Sequence, residues 1–212
     1  MDIITDSVDK LDGILQRSGC EETGVRLDVD PGAKNCQYER GACMTASFGG
    51  RTAEFVTDDP IRALTKISFM IGAPLETPNV RSAACAIINV VTAFFCLSRV
   101  RRACPVVSHA PCLNQLAEEL AGRSVFCIGN IPALKKVTTI SIVDNIQNSD
   151  IIVVNNEGII DKSTGDLVAT WTGKKRIVFL GPSTSGVCRL QQGEHWCPYG
   201  QPMPDFVPDP SR

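Results

Sequence analysis

The apolar positions of this chain change period three times. Over the first 18 residues Ile3, Ile4, Val8, Leu11, Ile14 and Leu15 recur at helical spacing and Gly19 follows as a stop, which predicts an amphipathic helix over residues 2–18. The spacing then shifts to alternation. Residues 25–29 alternate apolar with polar, and the runs 43–48 and 52–57 flank Gly49-Gly50, the signal of a short-range hairpin. Asp58 and Asp59 stand before Pro60, and Ile61, Leu64, Ile67 and Phe69 to Ile71 carry an apolar face to Gly72, which predicts a second helix with proline in its first turn. Pro74 and Pro78 mark residues 73–80 as a linker.

The third regime begins at residue 81. Residues 81–98 are apolar on nearly every side, as in a helix buried between layers, and residues 109–122 read as another helix. Four short apolar runs follow, at 124–128 ending in Gly129, 138–143, 151–154 after Asp150, and 176–180 ending in Gly181. Strands that are apolar on both faces and alternate with helix-compatible segments belong to a parallel sheet covered on both sides. The expected fold is therefore α/β, with a Rossmann-like parallel sheet in residues 79–212 and a smaller α+β portion (helix, hairpin, helix) in residues 1–78. The stretch after Gly193, rich in proline, glycine and aromatics, is expected to wrap the surface.

Composition narrows the function classes. The 212 residues are 43% hydrophobic and 21% charged, enough for a sizeable core. With 21 basic against 23 acidic residues the net charge is -2, which offers no electrostatic footprint for nucleic acid or an anionic membrane. Arg99-Val100-Arg101-Arg102 is the one basic cluster; it reads as a solvated helix end, with a phosphate site as the competing reading. The longest apolar run, residues 85–97, falls short of the ~20 residues that span a bilayer. The opening residues lack the basic start and apolar stretch of a signal peptide, so a cytoplasmic location is expected. The ten cysteines include no CxxC pair and are expected to be thiols or metal ligands in a reducing compartment, with Cys85, Cys96 and Cys127 above all as small core hydrophobes. The apolar breadth of residues 81–98 makes a homodimer a candidate assembly.

Ligands of open parallel sheets bind at the carboxyl ends of strands, and three segments fall there. In Gly129-Asn130-Ile131-Pro132, the glycine lets backbone approach a ligand, Pro132 can open a turn whose amides favour negative charge, and Lys135 can meet a carboxylate or phosphate. A plain strand-to-helix turn accounts for that segment equally well, since one glycine is not a dinucleotide fingerprint. In Asn155-Asn156-Glu157-Gly158, Asn155 and Glu157 can hydrogen-bond ring nitrogens, hydroxyls or metal-bound water, against the ordinary use of asparagine in turns. Gly181-Pro182-Ser183-Thr184-Ser185-Gly186 combines two glycines, three hydroxyls and successive amides, a candidate anion nest without the lysine of a Walker loop. Downstream, Cys188, His195 and Cys197 form a C-x6-H-x-C spacing whose ligand types suit a transition metal, with packing of His195 beside Trp196 as the alternative. No GxSxG elbow or other nucleophile context accompanies the two histidines, His109 and His195.

Several of these segments stand in an order similar to that of the putative heavy-metal-chelation family of bacteria and archaea. They are residues 81–89, Gly122-Arg123 through Gly129-Asn130-Ile131-Pro132, Ser149-Asp150 through Asn155, and Val178-Phe179-Leu180-Gly181-Pro182-Ser183-Thr184, about half the chain together. The resemblance implies a Rossmann-like carboxy-terminal domain with a ligand pocket where the loops meet, in a family whose activity is poorly defined. The chain departs from the family's pattern in its short amino-terminal portion and in Asn130-Ile131, which replace an aromatic. The resulting expectation is a protein that binds a small anionic or metal-bearing ligand (a metal chelate or cofactor-like molecule) through the Gly129, Asn155 and Gly181 loops. The competing expectation is a transferase using an adenosine-containing cofactor such as S-adenosylmethionine or NAD, because the same sheet geometry serves nucleotides.

Overall fold

The computed structural model describes residues 2–202. The Asp2 carboxylate accepts hydrogen bonds from the amides of Ile4 (2.9 Å) and Thr5 (3.0 Å), which caps α1 (Ile3–Leu15) and turns Ile4, Val8, Leu11 and Leu15 into the core. The alternating segment forms β1 (Gly24–Asp30), β2 (Ala42–Phe48) and β3 (Arg51–Thr57). Gly49 and Gly50 both take positive φ, +53° and +74°, the pair of left-handed residues that a two-residue hairpin turn between Phe48 and Arg51 requires.

The predicted second helix is where the structure departs most from the pattern. Residues 63–66 form a strand, β4 (Ala63–Lys66), antiparallel to β1 with Leu27 opposite Ala63 and Gly24 opposite Lys66, followed by a single turn, α2 (Ile67–Met70). The four-stranded sheet has the order β3-β2-β1-β4. The free edge of β1 satisfies the backbone of residues 63–66 better than an isolated helix would, and the helical spacing proves misleading: Leu64 and Phe69 are 81% and 74% exposed.

α3 (Pro78–Phe94) opens with a proline at its first turn and buries every residue from Arg81 to Ala93. It lies against β2 and β3 on one side and meets α1 and the helix α8 (Ser185–Leu190) on the other. The apolar surface that made a homodimer a candidate is thus consumed within one chain. The Arg99–Arg102 run follows the helix by several residues, in a connecting segment bridged to Gln201 through Arg102, and is not a helix end.

After α4 (His109–Glu119), the chain builds β5 (Ser124–Ile128), α5 (Pro132–Lys135), β6 (Ser141–Ile142), β7 (Ile151–Val154), α6 (Asn156–Ile160), α7 (Thr164–Trp171), β8 (Arg176–Leu180), α8 and β9 (Glu194–Trp196). The sheet is parallel throughout, in the order β6-β5-β7-β8-β9, so the α/β expectation for this half holds. The strand predicted over residues 138–143 contracts to two residues. Residues 194–196, expected to wrap the surface, pair with β8 as an added strand, and residues 203–212 lie outside the described residues. One apolar cluster joins α1, the antiparallel sheet and α3 to Ile128, Ile152, Val154 and Phe179; a second packs Val125, Val153, Val178 and Leu180 against α4 and, from the amino-terminal portion, Cys36 and Tyr38. Among the described residues no helix is long and apolar enough to cross a membrane.

Candidate functional site at the strand ends

β5 leads to β6 on one side while β7 leads to β8 on the other, so the switch point of the sheet lies between β5 and β7, with the Gly129 and Asn155 loops at its mouth. Asn155 ties the two together. Its Oδ1 accepts from the Gly158 amide (3.0 Å), capping α6, while its Nδ2 donates to the carbonyls of Asn130 (3.0 Å) and Tyr38 (3.1 Å). Gly129 sits at φ +92°, and a Cβ there would lie 1.9 Å from Asn155 Oδ1. The backbone approach predicted for a ligand is therefore an approach to Asn155. The Asn130 amide donates to the Glu157 carboxylate (3.0 Å), and Lys135, exposed, reaches Asn130 Oδ1 (3.4 Å).

The third loop is closed in the same way. Gly181 has φ +84°, and a Cβ on it would meet Glu39 Oε1 at 2.5 Å. The Ser183 amide donates to that Glu39 oxygen (2.8 Å), and Ser183 Oγ accepts from the Val56 amide (2.9 Å). Thr184 Oγ1 donates to the Gly181 carbonyl (2.9 Å), and Ser185 Oγ donates to that of Val100 (3.0 Å). Asn156 donates to the carbonyls of Arg40 (2.9 Å) and Val56 (2.8 Å). Pro182, Ser183, Thr184 and Ser185 are buried, as is Asn155, so the loops expected to form an open anion nest are covered by residues 36–40 of the chain itself. The reason is chemical: the amides of Asn130 and Ser183, which an anion would need, already face the carboxyls of Glu157 and Glu39.

Glu39 gave no signal in the sequence, because it lies in an aperiodic loop between β1 and β2. It is 2% exposed, and burial pushes its carboxyl up to about 8 against the opposing pull of the Ser183 hydrogen bonds. Its Oε2 and the Oδ1 of Asn156 are buried without a hydrogen-bond partner among the described residues. Both side chains converge on Val56, Asn156 through the Val56 carbonyl and Glu39 through Ser183, which holds the Val56 amide. Four thiols lie close enough to feel the charge of this carboxyl. Burial raises Cys36, Cys43, Cys104 and Cys197, and the charge of Glu39 adds to the shift in each, Cys43 reaching about 12. The Tyr38 hydroxyl lies 3.3 Å from Cys112 Sγ, and burial, then Cys112, push the phenol up as well. At neutral pH this interior is protonated and uncharged.

The structure does not assemble the metal set expected from Cys188, His195 and Cys197. Cys188 is buried in α8 within the apolar cluster that joins α1, α3 and the antiparallel sheet, whereas Cys197 lies near Cys104 and Cys112. Pairing of β9 with β8 holds the His195 ring against the third loop, where Nε2 donates to the Gly181 carbonyl (2.8 Å). Burial lowers the His195 pKa, and the Gly181 bond partly opposes this. Among the described residues no three or more His, Cys, Asp or Glu side chains come close enough to hold an ion.

No family model matches this chain, and no curated protein matches it. Two solved structures are similar in fold, both of DUF364-family proteins of unknown function. One, from Desulfitobacterium hafniense DCB-2, is 13% identical with a TM-score of 0.45, covering 77% of this chain and 79% of that one. The other, from Pyrococcus horikoshii, is 12% identical with a TM-score of 0.46, covering 85% of this chain and 79% of that one.

Proposed function

We propose that the protein binds a small metal-bearing ligand, a chelate that brings most of its own donor atoms, at the ends of β7 and β8, with the Glu39 carboxyl and the Asn156 side-chain oxygen as its protein contacts. The observation that carries this reading is the pair of buried oxygens, Glu39 Oε2 and Asn156 Oδ1, left without a hydrogen-bond partner where the loops meet. Native interiors leave few such atoms, because each costs about 1–3 kcal/mol, and an unmatched polar oxygen marks the place of a missing partner, which a cation supplies once the carboxyl gives up its proton. A free anion suits the position less, since the neighbouring amides already face carboxyls. A bare ion suits it less too, because three protein ligands do not gather among the described residues. A chelate needs only one or two oxygens from the protein.

Two consequences follow for the chain's own residues. Access requires residues 36–40 to shift, breaking the bonds of Tyr38 to Asn155, Glu39 to Ser183 and Arg40 to Asn156. A cation beside Glu39 favours its ionised form, so uptake below pH 8 releases a proton and strengthens as pH rises toward that value. The test is calorimetry with the nickel(II) and iron(III) complexes of citrate and nitrilotriacetate, with the free ions and free chelators as controls, in buffers of different ionisation heat. Binding of a complex with proton release, lost in Glu39→Gln, is the expected result. Equal affinity of the wild type and Glu39→Gln, or no binding of any complex, would overturn the proposal.

A further inference from the structure

We propose that a second site, separate from Glu39, binds the phosphate group of a small phosphorylated molecule on the outer side of the third loop. A cavity of about 210 Å³ opens there between the segment that follows α3 and the helix α8, lined among others by Ser98, Arg99, Ser185, Cys188, Arg189 and His195. Arg99 and Arg189 are exposed, and neither guanidinium has a hydrogen bond or ion pair among the described residues. Several arginines elsewhere are paired, Arg26 and Arg62 with Asp28 and Arg176 with Glu119 and Glu194; what sets Arg99 and Arg189 apart is that both line the same cavity. Two guanidiniums left on the walls of one cavity, in a chain of net charge -2, form a local positive site that runs against the charge of the whole.

The walls that carry the arginines are fixed before any ligand arrives. Ser185 Oγ donates to the Val100 carbonyl (3.0 Å), clamping the start of α8 to the residue after Arg99. The Ser98 and Thr92 hydroxyls are bonded at 3.1 Å, and the Ser98 amide donates to the Thr92 carbonyl (3.3 Å), which anchors the same segment to α3. His195 is held by the Gly181 carbonyl (2.8 Å). What remains free to move is the arginine side chains, whose forked donors match phosphate oxygens. With the walls already fixed, the ordering that opposes binding is confined to the two arginine side chains, about 0.5–1.5 kcal/mol each.

The neighbouring space argues for an organic phosphate in preference to the bare ion. A larger cavity, about 690 Å³, shares Leu97, Arg189 and Gly193 with the first and is walled by Ile14, Leu190 and Lys10. A phosphate between Arg99 and Arg189 leaves the rest of its molecule over the apolar side chains of Ile14, Leu97 and Leu190.

Titration calorimetry of the full chain at low ionic strength, with phenyl phosphate, inorganic phosphate, sulfate and phenol, tests this. Phenyl phosphate should bind most tightly, inorganic phosphate more weakly, sulfate more weakly still, and phenol not measurably. Arg99→Ala and Arg189→Ala should each weaken phenyl phosphate about tenfold, or ~1.4 kcal/mol, while Arg26→Ala leaves it unchanged. Both positions are exposed, so the variants should fold, and a melting curve checks that they do. Absence of saturable phosphate binding, or binding that survives both arginine replacements, would overturn the site. Inorganic phosphate as tight as phenyl phosphate would overturn the role of the larger cavity, and sulfate as tight as phosphate would overturn the assignment to phosphate.

Discussion

Replacing Glu39 by glutamine isolates what its buried carboxyl does to the fold. The amide keeps an acceptor for the Ser183 amide and matches the protonated acid in shape, so it removes the titration with little other change. In the unfolded chain the carboxyl titrates near its ordinary value of 4.5, and in the folded chain near 8. Below 4.5 both states hold the proton and pH has no effect through this group. Between the two values the unfolded state releases a proton that the folded state retains, so stability falls as pH rises, by ~1.4 kcal/mol per unit. Above 8 both are ionised and the loss stops growing. Across the window this amounts to roughly 5 kcal/mol, an upper bound because opening of residues 36–40 relieves the burial. Glu54, also raised by burial, contributes with the same sign but is present in both proteins and largely cancels in the difference. Urea unfolding of wild type and Glu39→Gln, followed by tryptophan fluorescence at pH 5 and pH 8, measures that difference. The two should be close in stability at pH 5, and the variant should be more stable by several kcal/mol at pH 8. A variant-minus-wild-type difference that does not change between the two pH values would refute the reasoning.

Three further outcomes follow from the same geometry. Gly129→Ala puts a Cβ 1.9 Å from Asn155 Oδ1 and should destabilise by ~3 kcal/mol or more, whereas Gly122→Ala, also at positive φ but with open space around it, should cost about 1 kcal/mol; paired thermal melts separate backbone strain from collision. Asn155→Ala loses the α6 cap, one buried and one part-buried donation, a loss of about 2–4 kcal/mol, while Asn155→Asp keeps the cap acceptor and should recover part of it in the same melts. Among the ten thiols Cys96 alone is exposed, so the fastest phase of reaction with a thiol reagent at pH 8 should vanish in Cys96→Ser, with Cys85 and Cys188, both buried and raised by burial, reacting last.

Cys96 also marks one limit of pattern reading, since its place at the end of an apolar run predicts a core residue and the structure turns it outward at φ +57°. A run of apolar letters reports average burial and says nothing of where a helix stops. The Cys188, His195 and Cys197 spacing likewise does not become a cluster of three among the described residues. Proximity in sequence does not bring side chains together when a strand pairing intervenes, and β9 directs His195 to a carbonyl.

What the sequence by itself determined is the set of elements with strong local signals: the amphipathic first helix, the Gly49-Gly50 hairpin, the buried helix α3 and the doubly apolar strands of a parallel sheet. Each of these is decided by periodicity or turn chemistry over a dozen residues or so, and needs no knowledge of distant partners. The positions of the Gly129, Asn155 and Gly181 loops at strand ends were legible for the same reason. Only the tertiary structure decided that residues 63–66 complete a sheet, that Tyr38, Glu39 and Arg40 cover those loops, and that Arg99 and Arg189 share a cavity. These facts depend on contacts across roughly 40 to 140 residues of chain, where burial and unmet hydrogen-bond valence outweigh local preference.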